Sequence, residues 1–124
     1  STDYVASFVG RLNRVKAPVI DPATGTVGFG GSVIATGSPI GKPAGTQVDI
    51  MLRPEELELN GSDDNRLPGI IENVSFLGSI VRVVVDAGTL PLTVDIFNER
   101  LLEMPTVGDT VEVSFPPHAC WVLG

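Results

Sequence analysis

Cysteine, histidine and tryptophan occur once each in this chain, as Cys120, His118 and Trp121. A lone cysteine cannot close an internal disulfide and supplies no metal cluster, which fits a reducing cytoplasm, and its simplest reading is a buried thiol. Long apolar runs are missing as well. Ile80-Val81 and Val83-Val84-Val85 are interrupted by Arg82 and Asp86, far short of the roughly 20 apolar residues that cross a bilayer as a helix. Ser1-Thr2-Asp3 offers no basic start followed by an apolar run, so no secretory leader is expected.

Catalytic signatures are equally scarce. Gly28-Phe29-Gly30-Gly31-Ser32 is the one glycine cluster that invites a phosphate-loop reading. It has no Gly-Lys-Ser/Thr ending and no helix start after it, so the cradle of amides and lysine is absent, and Gly41-Lys42-Pro43 puts proline where the hydroxyl belongs. A hairpin explains the cluster better. No serine or cysteine forms a nucleophile turn beside His118, which reads as exposed or as the end of a strand. An enzyme is therefore not expected.

What the chain does hold is material for a core. Hydrophobic residues make up 43% of its 124 residues and charged ones 19%, which excludes a disordered tail and suits one compact unit. The charge is lopsided. Residues 1–45 carry four basic and two acidic residues, a net +2, whereas residues 46–124 carry four basic and thirteen acidic, a net −9. Such a surface repels nucleic acid, and the few N-terminal cations form no basic stripe.

The 14 glycines and 10 prolines fall between apolar runs, as punctuation between strands. At the start, Thr2 or Asp3 can cap a short helix in which Tyr4 and Phe8, and Val5 and Val9, share a face, ending at Gly10. Asp21-Pro22-Ala23-Thr24-Gly25 signals a turn joining 17–20 to 26–35 as a hairpin. Val48, Ile50 and Leu52 alternate with Gln47, Asp49 and Arg53 until Pro54 stops the strand. Beyond the polar loop 60–65, three β-branched runs, 70–77, 79–87 and 90–97, form a meander, with Leu90, Leu92, Val94 and Ile96 toward a core and Thr93 and Asp95 outward. Asn98 can cap a short helix over 99–103, ended by Pro105, before a last strand over 110–115.

Three charged or aromatic features stand out. Arg53 ends a strand, where its planar fork could meet a carboxylate or anion, a salt bridge to a nearby glutamate being the simpler role. Glu55, Glu56 and Glu58 could act as acid and base or hold a hard cation, but a solvated face explains them more simply. Trp121 suits a core or a subunit contact.

Val5-Ala6-Ser7-Phe8-Val9-Gly10-Arg11-Leu12-Asn13 resembles the Val-Ala-x-Phe-Ile-Gly-x-x-Asn segment with which the C-terminal regulatory part of ABC-importer ATPases begins, the transport-associated OB (TOBE) family. Val48-Asp49-Ile50-Met51-Leu52-Arg53-Pro54-Glu55 is similar to its second marker, a strand running into Arg-Pro-Glu. Leu67-Pro68-Gly69, Phe76-Leu77-Gly78, the hairpin at Gly88 and Val107-Gly108-Asp109 complete the series. Residues 14–46 carry the least resemblance, and the molybdate branch's Ser-Ala-Arg-Asn-like motif is not found.

The resemblance implies an all-β, OB-fold-like small barrel, or barrels, of antiparallel strands with one or two short helices. It implies a single domain over 1–124: a helix over 1–10 leading in from an ATPase domain, a first β lobe over 11–60 and a second over 66–124. Phe8, Gly10, Asn13, Arg53, Pro54, Glu55 and Gly78 are its motif residues and candidate contacts, with no catalytic, cofactor or metal residue among them. The implied role is regulation and dimerisation of an importer's ATP-binding subunit, of polyamine (spermidine or putrescine) or ferric-iron type, cytoplasmic and peripheral to the inner membrane. Its expected partners are a second copy, the ATPase domain and membrane permease subunits, with ATP and magnesium bound elsewhere in the parent. The competing expectation is an independent small-ligand or anion-binding β domain that shares the barrel.

Overall fold

The computed structural model describes residues 12–88, 91–101 and 103–123. Ten strands run through them: β1 (Asn13–Asp21), β2 (Thr26–Phe29), β3 (Ser32–Ala35), β4 (Gln47–Leu52), β5 (Glu58–Leu59), β6 (Asn65–Leu77), β7 (Ile80–Asp86), β8 (Pro91–Phe97), β9 (Thr110–Phe115) and β10 (Trp121–Leu123). They form two five-stranded antiparallel sheets, ordered β10-β4-β1-β2-β3 and β5-β9-β6-β7-β8. The all-β reading holds. The turn at 21–25 joins β1 to β2 as expected, but the arm expected over 26–35 is itself a hairpin, because Gly30 and Gly31 with positive φ turn the chain back and Phe29 pairs with Ser32 across them. The helix expected over 99–103 is instead a single 3-10 turn, Asn98–Arg100, with Phe97 at its N-cap and no side-chain capping bond. The expected helix before Gly10, together with Phe8, Gly10 and Leu90, lies outside the described residues.

The two sheets repeat one plan. Asn13↔Leu52 through Pro18↔Gln47 in β1 and β4 recurs as Asn65↔Phe115 through Ile70↔Thr110 in β6 and β9. A bulge follows Val19 in β1 and Ile71 in β6. Val19 donates its N–H to Thr46 at 2.9 Å and accepts from Gly45 at 2.7 Å; Ile71 does the same with Asp109 at 2.9 Å and Gly108 at 2.8 Å. Each plan ends in a proline-led 3-10 turn, Pro54–Glu56 or Pro117–Ala119.

The last strand of each repeat crosses to the other sheet. β5 pairs with β9, and β10 pairs with β4, in matching registers. The bounds 11–60 and 66–124 therefore do not coincide with the sheets, because each sheet takes its edge strand from the other half. Two asparagines complete the exchange. Asn13 donates to the Thr93 carbonyl and accepts from the Thr93 N–H, both at 2.8 Å. Asn65 does the same with Ala35, at 2.8 and 2.9 Å. Each carboxamide thus satisfies the outer backbone groups of the third strand in the opposite half, groups that an edge strand otherwise leaves open.

Between the sheets lies one apolar core built from matching positions: Val15 and Leu67, Val19 and Ile71, Ile50 and Val113, Leu52 and Phe115, all at most 2% exposed. Gly69 stands where β1 has Ala17, because a Cβ there would lie 2.5 Å from Val85 Cγ1 and 2.6 Å from the Asp86 carbonyl oxygen.

Candidate functional site

The Arg-Pro-Glu segment leaves β4 at the outer surface. Val48, Ile50 and Leu52 are buried, so alternation turns Asp49 and Met51 outward, followed by exposed Arg53. Pro54 is buried as the first residue of its 3-10 turn, and beyond it Glu55 lines a different groove from the recess that Arg53 lines. Among the described residues no carboxylate pairs with Arg53. Its guanidinium instead sits over the Trp121 ring, 5.1 Å from the centroid, a cation–π contact. The expected salt bridge is thus replaced by stacking, because β10 lies beside β4 and sets Trp121 opposite Met51.

Trp121 is not a core residue. Its short strand is an edge, and Trp121 and Leu123 point outward, 54% and 51% exposed, while Val122 packs toward the core. Leu12, Met51, Arg53, Trp121 and Leu123 line a shallow, almost wholly apolar recess of about 150 Å³. Beside it Arg14 meets Asp49 at 3.0 Å.

A second, more polar groove of about 260 Å³ lies where β5 approaches β8, lined by Glu55, Glu58, Phe97 and Arg100 among others. Arg100 lies over the Phe97 ring at 5.5 Å. Nearby, Arg82 binds Asp95 through two hydrogen bonds, 2.8 and 2.9 Å, and this hydrogen bonding raises the guanidinium pKa. The Asp95 side chain is 7% exposed, so the guanidinium supplies the hydrogen bonds that water would otherwise make to its carboxylate.

Of the other motif residues, Asn13 is the buried clasp described above, which sequence reasoning marked without seeing its job. Gly78, with φ +76°, opens the two-residue turn between β6 and β7 of the second sheet, is not among the residues lining the recess, and contributes through its conformation. His118 is exposed on the turn before β10. The buried Cys120 thiol is pushed up to about 12 by desolvation, which makes it inert. Among the described residues no three His, Cys, Asp or Glu side chains converge to hold a metal ion. What the described residues do present is surface for contact, the apolar recess and the polar groove.

The chain is 28% identical to the spermidine/putrescine import ATP-binding protein PotA of Ruegeria pomeroyi over 97% of its length, but covers 34% of that protein. It is 26% identical to the maltose/maltodextrin import ATP-binding protein MalK of Photorhabdus laumondii, over 94% of the chain and 33% of the relative. A sulfate/thiosulfate import ATP-binding protein, CysA 1 of Chromobacterium violaceum, is 30% identical over 67% of the chain and 22% of the relative. The chain thus spans about a third or less of the curated relatives it matches. In fold it is similar to the cytoplasmic molybdate-binding protein ModG, with a TM-score of 0.76 over 90% of this chain and 94% of that one at 16% identity. The family model described as TOBE domain matches residues 50–123, the stretch running from β4 through the whole second repeat, and the chain accordingly belongs to the TOBE domain family.

Proposed function

We propose that the chain is the C-terminal regulatory and dimerisation domain of the ATP-binding subunit of an ABC importer. The observation that carries this reading is the TOBE match over 50–123 together with three relatives that are all import ATP-binding proteins some three times longer. In this reading ATP and magnesium belong to a separate domain of the parent, which works with permease subunits at the cytoplasmic side of the inner membrane. This domain holds two subunits together and biases their opening, a coupling free energy between sites. Polyamine is the proposed cargo ahead of ferric iron, supported by the polyamine relative aligned over 97% of the chain.

The test is on the parent. Its reading frame should carry a Gly-x-x-x-x-Gly-Lys-Ser/Thr loop ahead of residue 1, and deleting 12–124 should leave nucleotide binding intact while weakening subunit association and the coupling of hydrolysis to transport. Full coupling after deletion overturns the reading.

The fold shared with a molybdate-binding protein favours a second reading, an independent anion-binding β domain. Calorimetric titration of the chain with molybdate or sulfate separates the two, and micromolar binding would decide for the second.

A further inference from the structure

The internal repeat provides a control for the recess around Trp121. Matching registers align Met51 with Ser114 and Trp121 with Glu58; one step further along, Leu123 aligns with Asn60, and Leu12 with Asp64 ahead of β1 and β6. One scaffold therefore carries Leu, Met, Trp and Leu on the outside of the first sheet and Asp, Ser, Glu and Asn on the second. The fold itself does not require apolar side chains at these places.

Their surroundings differ as well. Outside the second sheet the chain covers its own face: Gly61 lies so close to Ser114 that a Cβ on the glycine would be 2.4 Å from the hydroxyl, and Ser114 is fully buried. Outside the first sheet Leu12, Trp121 and Leu123 stand half exposed and, with the less exposed Met51, make four large apolar residues around a recess that admits one side chain. Clustered exposed apolar residues of this kind mark contact surfaces, and Trp and Arg are enriched at their centres. Charge selects the occupant. Arg53 and Lys16 pair with no carboxylate among the described residues, and Arg14 is 64% exposed even while it meets Asp49. Arg53 lines the recess, while Arg14 and Lys16 stand beside it on the outer face of β1 against the single carboxylate of Asp49, so the face keeps a net positive charge in a protein whose net charge is −7.

We propose that this face is a docking surface for an acidic segment of a partner protein, which seats a leucine or phenylalanine between Leu12, Met51, Trp121 and Leu123 and sets carboxylates against Arg14, Lys16 and Arg53. The proposal is independent of what the parent imports. Complementary charge sets the approach and excludes basic partners, while the buried side chain holds the complex.

Trp121, the one tryptophan, reports directly on the site. The 124-residue chain is titrated with a short synthetic peptide of glutamate and aspartate bearing one leucine and one phenylalanine, while indole emission is followed. The expected result is a saturable shift to shorter wavelength that weakens with added salt. It should be absent with a peptide carrying lysine for each carboxylate and with one carrying alanine for the two apolar residues. Met51→Ser with Leu123→Asn imports residues that the second repeat already accepts, and should weaken binding by about tenfold or more; Leu12→Asp, outside any strand, gives the same comparison should that pair fail to fold. No shift at millimolar peptide, an equal response to the lysine peptide, or undiminished binding by the variants overturns the proposal. A shift that depends on protein concentration without peptide also overturns it, by assigning the face to a second copy.

Discussion

Asn13→Ala removes the carboxamide that joins β1 to β8. The side chain is 7% exposed and makes two hydrogen bonds to one residue, Thr93, each 2.8 Å long. A hydrogen bond contributes about 0.5–1.5 kcal/mol net, and a buried backbone group left without a partner costs about 1–3 kcal/mol. Water can reach part of the vacated edge, so the sum falls at about 2–4 kcal/mol. With a urea slope of about 1.5 kcal/mol per molar, a loss of about 3 kcal/mol moves the unfolding midpoint down by about 2 M. Asn13→Asp should also destabilise at neutral pH, because a carboxylate can accept from the Thr93 N–H but sets its second oxygen against the Thr93 carbonyl. Asn65→Ala should match Asn13→Ala within about 1 kcal/mol, since its two bonds to Ala35 are 2.8 and 2.9 Å. Urea titrations of the three variants, followed by far-ultraviolet dichroism, provide the test. A loss below about 0.5 kcal/mol for either alanine variant would refute the clasp.

Three further outcomes are expected. Burial raises the Cys120 thiol from 9.0 to about 12, and the folded state therefore holds its proton longer than the unfolded state: the stabilisation is complete below pH 9 and is lost toward pH 12, by a few kcal/mol at most. Cys120→Ala should flatten that alkaline decline in thermal melts; an identical slope would assign it to other groups. Arg82→Met leaves the Asp95 carboxylate nearly buried without its two hydrogen bonds and should cost about 2–4 kcal/mol, recovered in part by adding Asp95→Asn; equal melting temperatures for wild type and Arg82→Met would contradict this. Gly25→Ala, at φ +76° with the new Cβ 1.9 Å from the Ser38 carbonyl oxygen, should lose more than about 2 kcal/mol, while Gly41→Ala, with open space around it, should stay within about 0.5 kcal/mol. Chemical denaturation compares the two glycine variants directly.

The meander β6-β7-β8 was legible because alternation and two turns act locally: Leu92 and Val94 are fully buried where the pattern places them. The turn at 21–25 was legible for the same reason. The repeat was not. Its halves align at offsets of 52, 58 and 63 residues, because the second half has a longer β6–β7 hairpin and a longer β8–β9 loop, and no single period survives. What the halves share is an asparagine, a glycine and a proline at structural points, and these are too common to mark a repeat. The recess was hidden because it needs β10 beside β4, a pairing 70 residues apart between Met51 and Trp121 that neither strand's own sequence specifies. Reading Arg53 from its neighbours alone therefore favours the adjacent glutamates, and reading Trp121 from its size alone leaves core and subunit contact both open.

The exchange of edge strands sets a schedule for synthesis on the ribosome. β4 is made early but meets its outer neighbour only when Trp121–Leu123 emerge, and Asn13 waits for Thr93, 80 residues later. The first half cannot finish its sheet while the second is still inside the exit tunnel, so closure is a late event that joins distant parts of the chain and is correspondingly slow. A nascent chain stalled near residue 110 would expose the bare edge of β4 with its apolar inner face, a species that chaperones should hold and that the released chain no longer presents.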